Sequence, residues 1–411
     1  MPNYIVGLDV GSHTIKAAIA EIKRDGGLSL IRFIKSPSQG VRKGIIDDPA
    51  DAVRAISYVL EEIRQTSKHA VRNIYLGVGG ADVKVQPSKG IVAVSRADLE
   101  VCQEDMDRVL EAVRALSLPP NRMVLHSVTR EFIVDAIGDI RNPVGMIGNR
   151  LEAHSLIVDA FSPNIKRAIM CVEQAGGKVA GLIFSPLASS QSALSRNQKE
   201  LGVALVDIGF GKTGLSVYEE NKLLHTVVVP VGSGNITNDL AIGLKASVDA
   251  AETIKLTFGS AASKDVSLRD MIDLQKISPA AKGTVSRRFV SEIIGVRLAE
   301  VFDLINHELK KIGKANKLPG GVVLTGGGAK MVGLVDLARQ ELRLPAQIGL
   351  PDLTLFEVSS EVGVDAEDPE YACVFGLVSH GYELMKENQG ELLGSGNAGN
   401  FFKKIFRLFN P

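Results

Sequence analysis

Short apolar runs recur along the chain, and two of them share one design. Residues 4–8 run into Asp9-Val10-Gly11-Ser12-His13-Thr14 and return as the alternating stretch 15–20; residues 203–206 run into Asp207-Ile208-Gly209-Phe210-Gly211-Lys212-Thr213 and return through Leu215 and Val217. An apolar run, a glycine turn and an alternation of period two predict a β-hairpin each time. A third apolar run, 321–324, reads as a buried strand that ends in Gly326-Gly327-Gly328, with a helix predicted over 331–342. Helical spacing fills much of the rest. Asp47-Asp48-Pro49 caps a helix to about residue 65 with Val53, Ile56, Leu60 and Ile63 on one face; 103–116 is amphipathic and 286–311 is long. Further strands are expected near 28–34, 74–78, 83–94, 150–161, 179–184 and 223–230. The pattern predicts an α/β chain of two lobes, with a compact α+β insert from residue 82.

The two hairpin turns carry the chemistry. Glycine frees each turn for positive φ, so backbone N–H groups can point inward at an anion. Asp9 and Asp207 end their strands, where a carboxylate can hold Mg²⁺ through its water shell. Facing each other, the hairpins would clamp phosphate. The segment 209–214 spells G-x-G-x-x-G, yet a strand follows where a dinucleotide fingerprint needs a helix. A P-loop fails because Val206 stands where its first glycine belongs. A kinase loop lies on a hairpin, but neither His-Arg-Asp nor Asp-Phe-Gly follows. The turn at 326–328 lets a flat base or sugar lie against backbone, beside a helix start at Met331. Gly232-Ser233-Gly234-Asn235 opens another helix whose N–H groups are expected to be free for nucleotide.

Composition narrows the setting. With 411 residues, 45% of them hydrophobic, the chain can bury two cores. Lys+Arg and Asp+Glu are both 47, so net charge points to no nucleic-acid partner. The three cysteines, Cys102, Cys171 and Cys373, form no C-x-x-C and the histidines no H-E-x-x-H, so a reducing cytosol without a structural metal is expected. No charged stretch followed by a long apolar run opens the chain, and no run approaches the roughly 20 apolar residues of a spanning helix.

Three glycine turns in this order resemble the actin-like ATPase superfamily: phosphate 1 at 9–14, phosphate 2 at 207–213 and the adenosine motif at 324–329. Within it, Asn142-Pro143-Val144-Gly145-Met146-Ile147-Gly148-Asn149-Arg150-Leu151-Glu152-Ala153-His154 and Gly40-Val41-Arg42-Lys43-Gly44 resemble the FtsA family of bacterial cell division proteins. The resemblance spans nearly the whole chain. It implies a two-lobed actin-like fold of duplicated ribonuclease-H-like domains: subdomain 1A at 1–81 and 162–198, the inserted subdomain 1C at 82–161, subdomain 2A at 199–231 and 312–385, and subdomain 2B at 232–311. It implies ATP and Mg²⁺ as ligands, with Asp9, Gly11, Ser12, His13, Lys16, Asp207, Gly209, Gly211, Lys212, Thr213, Gly232, Gly234, Asn235, Gly326, Gly327, Gly328 and Met331 around the nucleotide. Glu252 and Lys255 share a helix face, ordinarily an ion pair; in actin-like relatives the matching pair reaches ribose and adenine.

The same resemblance implies self-association into filaments, binding of the C-terminal peptide of FtsZ, and recruitment of later division proteins through the insert, on the cytoplasmic side of the cell membrane at the division site. Arg287, Arg288 and Arg297 read first as a solvated face over a core stripe. In FtsA this region receives the FtsZ peptide, and arginine forks suit its carboxylates. The chain also departs from its relatives. Faster ones carry an acid before Pro186 to activate water, where Ser185 stands here. Without that acid, weak or negligible hydrolysis is expected; in phosphate 2, Phe210 replaces a glycine, Lys212 a threonine and Gly214 an Asp, departures that bear on catalysis more than on binding. Lys16 sits two places later than the lysine of many FtsA members, a spacing shared with PilM-type pilus scaffolds. A PilM-like scaffold is the nearest alternative, and an actin-fold sugar kinase a more distant one.

The end of the chain reads as a flexible polar linker, 386–399, spanning roughly 20 Å by chain statistics. An amphipathic segment over 400–411 follows. At helical spacing Phe401, Phe402, Ile405, Phe406, Leu408 and Phe409 share an arc of roughly 160°, with Lys403, Lys404 and Arg407 opposite, the pattern of an interfacial membrane helix. Half-burying six large apolar groups contributes ~6 kcal/mol and three basic residues near anionic lipid ~1 kcal/mol each, against ~10 kcal/mol to order ten residues. One tail is therefore expected to bind weakly, and many tails on one filament by avidity.

Overall fold

The computed structural model describes residues 3–277, 283–358 and 366–393. Two mixed sheets form the centres of two lobes. The first has the order Val179–Phe184, Ile74–Val78, Asn3–Val10, Thr14–Ile22, Leu28–Pro37, Phe356–Val358. Its first hairpin pairs Asp9 with Lys16 and Val10 with Ile15, which sets Gly11–Thr14 at the tip. The helix Pro49–Thr66 covers one face with Ile56, Leu60 and Ile63 buried. It starts where the Asp48 carboxylate accepts the N–H groups of Ala50 and Asp51, at 2.9 and 3.1 Å.

The second sheet repeats the plan in the order Lys222–Val229, Thr213–Glu219, Val203–Ile208, Val322–Thr325, Ala346–Ile348. Asp207 pairs with Gly214 and Ile208 with Thr213, so 209–212 form the tip. The long helix Arg287–Lys311 buries Ile294, Leu298 and Phe302 beneath Leu240 and Ile254 of two shorter helices, Ser233–Leu244 and Val248–Phe258.

A third, antiparallel sheet orders Lys84–Ala93, Arg150–Phe161, Arg122–Val134, Ile137–Ile140 and carries the helix Gln103–Arg114. It has its own core of Val109, Val113, Leu151 and Ile157. The helix lies close over Gly90, where an added Cβ would sit 2.3 Å from the Val109 carbonyl. A buried ion pair, Arg122 with Asp159, ties the base of this sheet together.

Two helices join the lobes: Ser185–Ala193 and Ala372–Leu393. They cross where a Cβ on Gly376 would come within 1.8 Å of the Ala188 carbonyl, so only glycine admits this approach.

Two expectations need correction here. The segment 386–393, read as linker, continues the second connecting helix to Leu393; Lys386, Glu387, Gln389 and Glu391 are good helix formers, and Gly394 is the first strong stop after them. The helix expected from Met331 starts at Leu334, because Gly333 at φ 77° breaks it from the 3-10 turn Gly327–Lys330. The amphipathic run 400–411, with the end of the expected linker, lies outside the described residues. Among the described residues no helix is long and apolar enough to cross a membrane.

Candidate nucleotide site

The tips of the two hairpins meet between the lobes. They line one cleft together with Asp9, Lys16, Asp207, Gly326 and Gly327. The loops touch closely: a Cβ on Gly211 would lie 2.8 Å from the Ser12 hydroxyl and 3.1 Å from the Lys43 backbone. That hydroxyl accepts the Gly44 N–H at 3.0 Å, which links the first loop to the 40–44 segment. His13 stacks on Phe210, with ring centroids 4.6 Å apart and 22° between planes. The Lys212 ammonium reaches across to the Gly79 carbonyl of the first lobe.

Asp9 and Asp207 both line the cleft from strand ends. Burial pushes the Asp207 carboxyl up, the Ser189 hydroxyl at 2.5 Å opposes this, and the charge of Asp9 adds to it. Two carboxylates disfavoured as a charged pair are a setting that a cation relieves. Among the described residues no cluster of three or more His, Cys, Asp or Glu could cage a metal directly. The donor set therefore fits Mg²⁺ that keeps its waters and bridges to phosphate.

Gly326, at φ 83°, is required: a Cβ there would lie 2.3 Å from the Asp207 carboxylate. Gly327 is exposed in the cleft, whereas Gly328 packs on Ile208 and Met331 closes the turn behind it. Thr213 is buried, and its hydroxyl donates to the Val231 carbonyl at 2.7 Å rather than facing the cleft.

The start of the helix Ser233–Leu244 departs from expectation. The N–H groups of Ser233 and Gly234 donate to the Gly209 and Phe210 carbonyls at 2.9 and 2.7 Å; that of Gly232 goes to the Asn235 side chain and that of Asn235 to the Gly232 carbonyl. None of the four amides is free for a ligand. They hold the second loop in shape, because its two successive carbonyls are the nearest acceptors. Gly234 is small so that the Phe210 ring can lie over it, 2.6 Å from where a Cβ would stand.

Behind that ring, Lys255 donates to Glu252 at 2.6 Å, to the Thr237 hydroxyl at 2.9 Å and to the Ser233 carbonyl at 3.3 Å. Burial lowers its pKa and Glu252 opposes the shift. Its ammonium sits 5.3 Å from the Phe210 centroid. Neither Glu252 nor Lys255 lines the cleft, since Phe210 stands between.

Sequence reasoning missed Glu370 and Cys373, which enter the cleft from the start of the second connecting helix. Asp368-Pro369 before a helix was a readable capping signal, but nothing local aimed it at the site. Ser185 also lines the cleft, and its hydroxyl donates to the Val78 carbonyl at 3.2 Å. The cleft encloses about 90 Å³, well under the ~300–1,000 Å³ of ordinary ligand sites. A whole nucleotide requires it to open.

The three arginines behave differently. Arg297 holds Asp239 through two nitrogens at 2.6 and 2.9 Å, and Glu300 as well. Arg287 donates to the Phe258 carbonyl at 3.0 Å and faces Asp270 at 3.7 Å; Arg288 faces Glu292 at 3.6 Å.

Comparison with known proteins agrees on one family. The model described as cell division protein FtsA matches residues 204–376, and that described as the SHS2 domain inserted in FTSA matches residues 80–159. Cell division protein FtsA of Pseudomonas aeruginosa is 33% identical over 389 residues, covering 94% of this chain and 90% of the relative. Among solved structures, a chain of the PilM-PilN type IV pilus biogenesis complex superposes with a TM-score of 0.66 at 16% identity, over 92% of this chain and 98% of that one. MreB 5 of Spiroplasma citri bound to AMPPNP gives 0.53 at 12% identity, over 95% and 98%. These likenesses establish the two-lobed actin-like fold with its inserted α+β unit.

Proposed function

This chain belongs to the FtsA family of cell division proteins, and from that premise we propose that it binds ATP with Mg²⁺ between its lobes and polymerises on the inner face of the cytoplasmic membrane. There it tethers FtsZ filaments and recruits later division proteins. One observation carries the nucleotide part: two hairpin tips from separate lobes, each preceded by an Asp, line the same cleft.

The loop amides at Ser12, His13 and Gly211 receive phosphate oxygens in this reading, with Lys16 and Lys212 supplying positive charge, while the N–H groups of Gly11 and Gly209 donate to the Thr14 and Lys212 carbonyls at 3.2 and 2.9 Å and hold the turns in shape. Asp9 and Asp207 hold the hydrated ion, which neutralises the phosphates when bound. Gly326 and Gly327 give the nucleoside a flat floor. Glu252 and Lys255 reach it once Phe210 has moved. At the position where faster relatives place an acid stands Ser185, and its hydroxyl donates to the Val78 carbonyl, so the usual carboxylate base is missing there. ATP then serves as a conformational ligand that sets the angle between lobes.

The insert, 82–161, is the surface for self-association and for later partners. Arg287 and Arg288, half-buried at the start of their helix, are the cations for an acidic FtsZ peptide; Arg297 supports the helix from its ion pair. Residues 400–411 supply the reversible membrane contact, multiplied along a filament.

Sedimentation with anionic liposomes, ATP and an FtsZ C-terminal peptide tests this. The full chain is expected to pellet with lipid and bring the peptide down, while a version ending at Gly399 stays in the supernatant with its peptide. If both versions stay behind, the tether reading fails.

A further inference from the structure

A second cavity, of about 410 Å³, opens where three parts of the molecule meet, and it shares no lining residue with the nucleotide cleft. Its origin lies in unequal strand lengths. The strand Arg122–Val134 has thirteen residues and its outer neighbour Ile137–Ile140 only four, with pairing confined to 132–140. Among the described residues no strand pairs with the outer edge at 128–131, which looks onto the turn of the hairpin at 218–223. Leu187, Gln191 and His380 from the connecting helices form the floor.

The charges around this space do not balance. Of the acids at its wall, Glu131 accepts the Asp139 N–H at 3.0 Å and faces His154 at 3.4 Å, and Glu220 faces Lys222 at 3.4 Å. Lys222 is further held by Asp139. Arg130 and Arg141 also line the cavity; among the described residues neither is held by a hydrogen bond or a close ion pair, although Arg141 adds, after Lys222, to the positive charge that lowers the Asp139 pKa. Behind the Tyr218 ring, 5.2 Å from its centroid, stands Lys199, whose charge adds to burial in holding His380 down. Val128, Phe132 and Leu223 make part of the wall apolar. Uncommitted guanidinium forks over a partly apolar cavity of ligand size are a recognition site for paired acidic oxygens.

We propose that this cavity binds a small molecule carrying two or more carboxylate or phosphate groups, with Arg130 and Arg141 gripping the anionic ends; the side-chain amides of Gln191 and Asn221, which donate to Glu383 and Glu200, border the site without reaching into it. Occupied, the site links the insert to the second lobe outside the nucleotide cleft, with Leu187 in its floor next to Pro186 of the cleft wall.

The full chain is titrated calorimetrically with tricarballylate, a tricarboxylate, and with fructose 1,6-bisphosphate, each with and without saturating ATP. One of the two is expected to saturate at one site per chain, which tells carboxylate from phosphate chemistry, and ATP leaves that affinity unchanged. Arg141→Ala, at an exposed position, and Arg130→Ala each weaken binding about tenfold, while Arg130→Lys recovers only part of it because lysine lacks the fork. Unfolding midpoints of the variants verify that they are folded. Failure of both probes to bind below about 10 mM, equal binding by the arginine variants, or displacement by ATP overturns the proposal.

Discussion

Phe210 lies flat against His13, 4.6 Å between centroids, and so joins the two phosphate loops across the cleft by a contact that involves no nucleotide. The ring also rests over Gly234 and beneath the Lys255 ammonium. An aromatic pair of this kind contributes ~1 kcal/mol beyond its buried area. A nucleotide that must part the rings works against that energy, so Phe210→Ala is expected to tighten a fluorescent ATP analogue about fivefold. Stopped-flow titration measures it. Unchanged affinity would mean that the stack persists in the bound state.

Asp207 carries a cost in the empty protein. Burial first, and then the charge of Asp9, raise its pKa against the bond from Ser189. A carboxyl raised on folding adds stability below its unfolded value, and that stability is lost as pH rises through the folded value. In its ionised form the group thus destabilises the fold. Asp207→Asn is expected to raise the melting temperature of the nucleotide-free protein by about 1–3 °C and to abolish the further rise expected from ATP with Mg²⁺. A variant that melts lower without ligand contradicts this account.

The arginines of the long helix separate in the same way. Arg297→Ala breaks a two-pronged bond to Asp239, partly shielded from water, and should lower stability by about 1–2 kcal/mol in urea unfolding. Arg288→Ala removes only an exposed 3.6 Å pair and should stay within about 0.5 kcal/mol of the parent. Affinity for an FtsZ peptide is expected to fall for Arg288→Ala and for Arg287→Ala; if Arg297→Ala alone weakens it, the peptide lies further along the helix.

His126 joins the insert to the first lobe by accepting the Phe184 N–H at 2.9 Å. Burial, then the charge of His380, lower its pKa to about 3. Its neutral form is the folded form, so the stability it contributes is complete above the unfolded value near 6.5 and is lost as pH falls toward 3. His126→Gln, which can still accept the bond, should flatten the acid side of the stability profile by up to ~1.4 kcal/mol per pH unit below about pH 6. An unaltered slope would place the acid sensitivity elsewhere.

What could be read from the sequence were features written within a few residues. The hairpins around Gly11 and Gly209 announce themselves through alternation and glycine, and the capping of Pro49–Thr66 through Asp48. Long-range pairing was silent. Phe210 stood out only as a substitution in a motif, since its partner His13 is nearly two hundred residues away. The amides of 232–235 looked free because a helix start leaves them so, and only the folded chain supplies the Gly209 and Phe210 carbonyls. Glu370 and Cys373 reach the cleft through a helix whose path no local pattern records.

The crossing of the two connecting helices bears on how such a molecule moves. At Gly376 and Ala188 backbone meets backbone with no side chain interposed, so the joint resembles the rivet of a pair of scissors. Sliding one blade along the other would drive peptide groups into contact, whereas turning about the rivet leaves the contact intact. A joint of this kind favours rotation over sliding, and a small swing at the cleft would be enlarged at the far edges of both lobes. A filament built from those edges would read the swing as a change in the fit between neighbouring subunits.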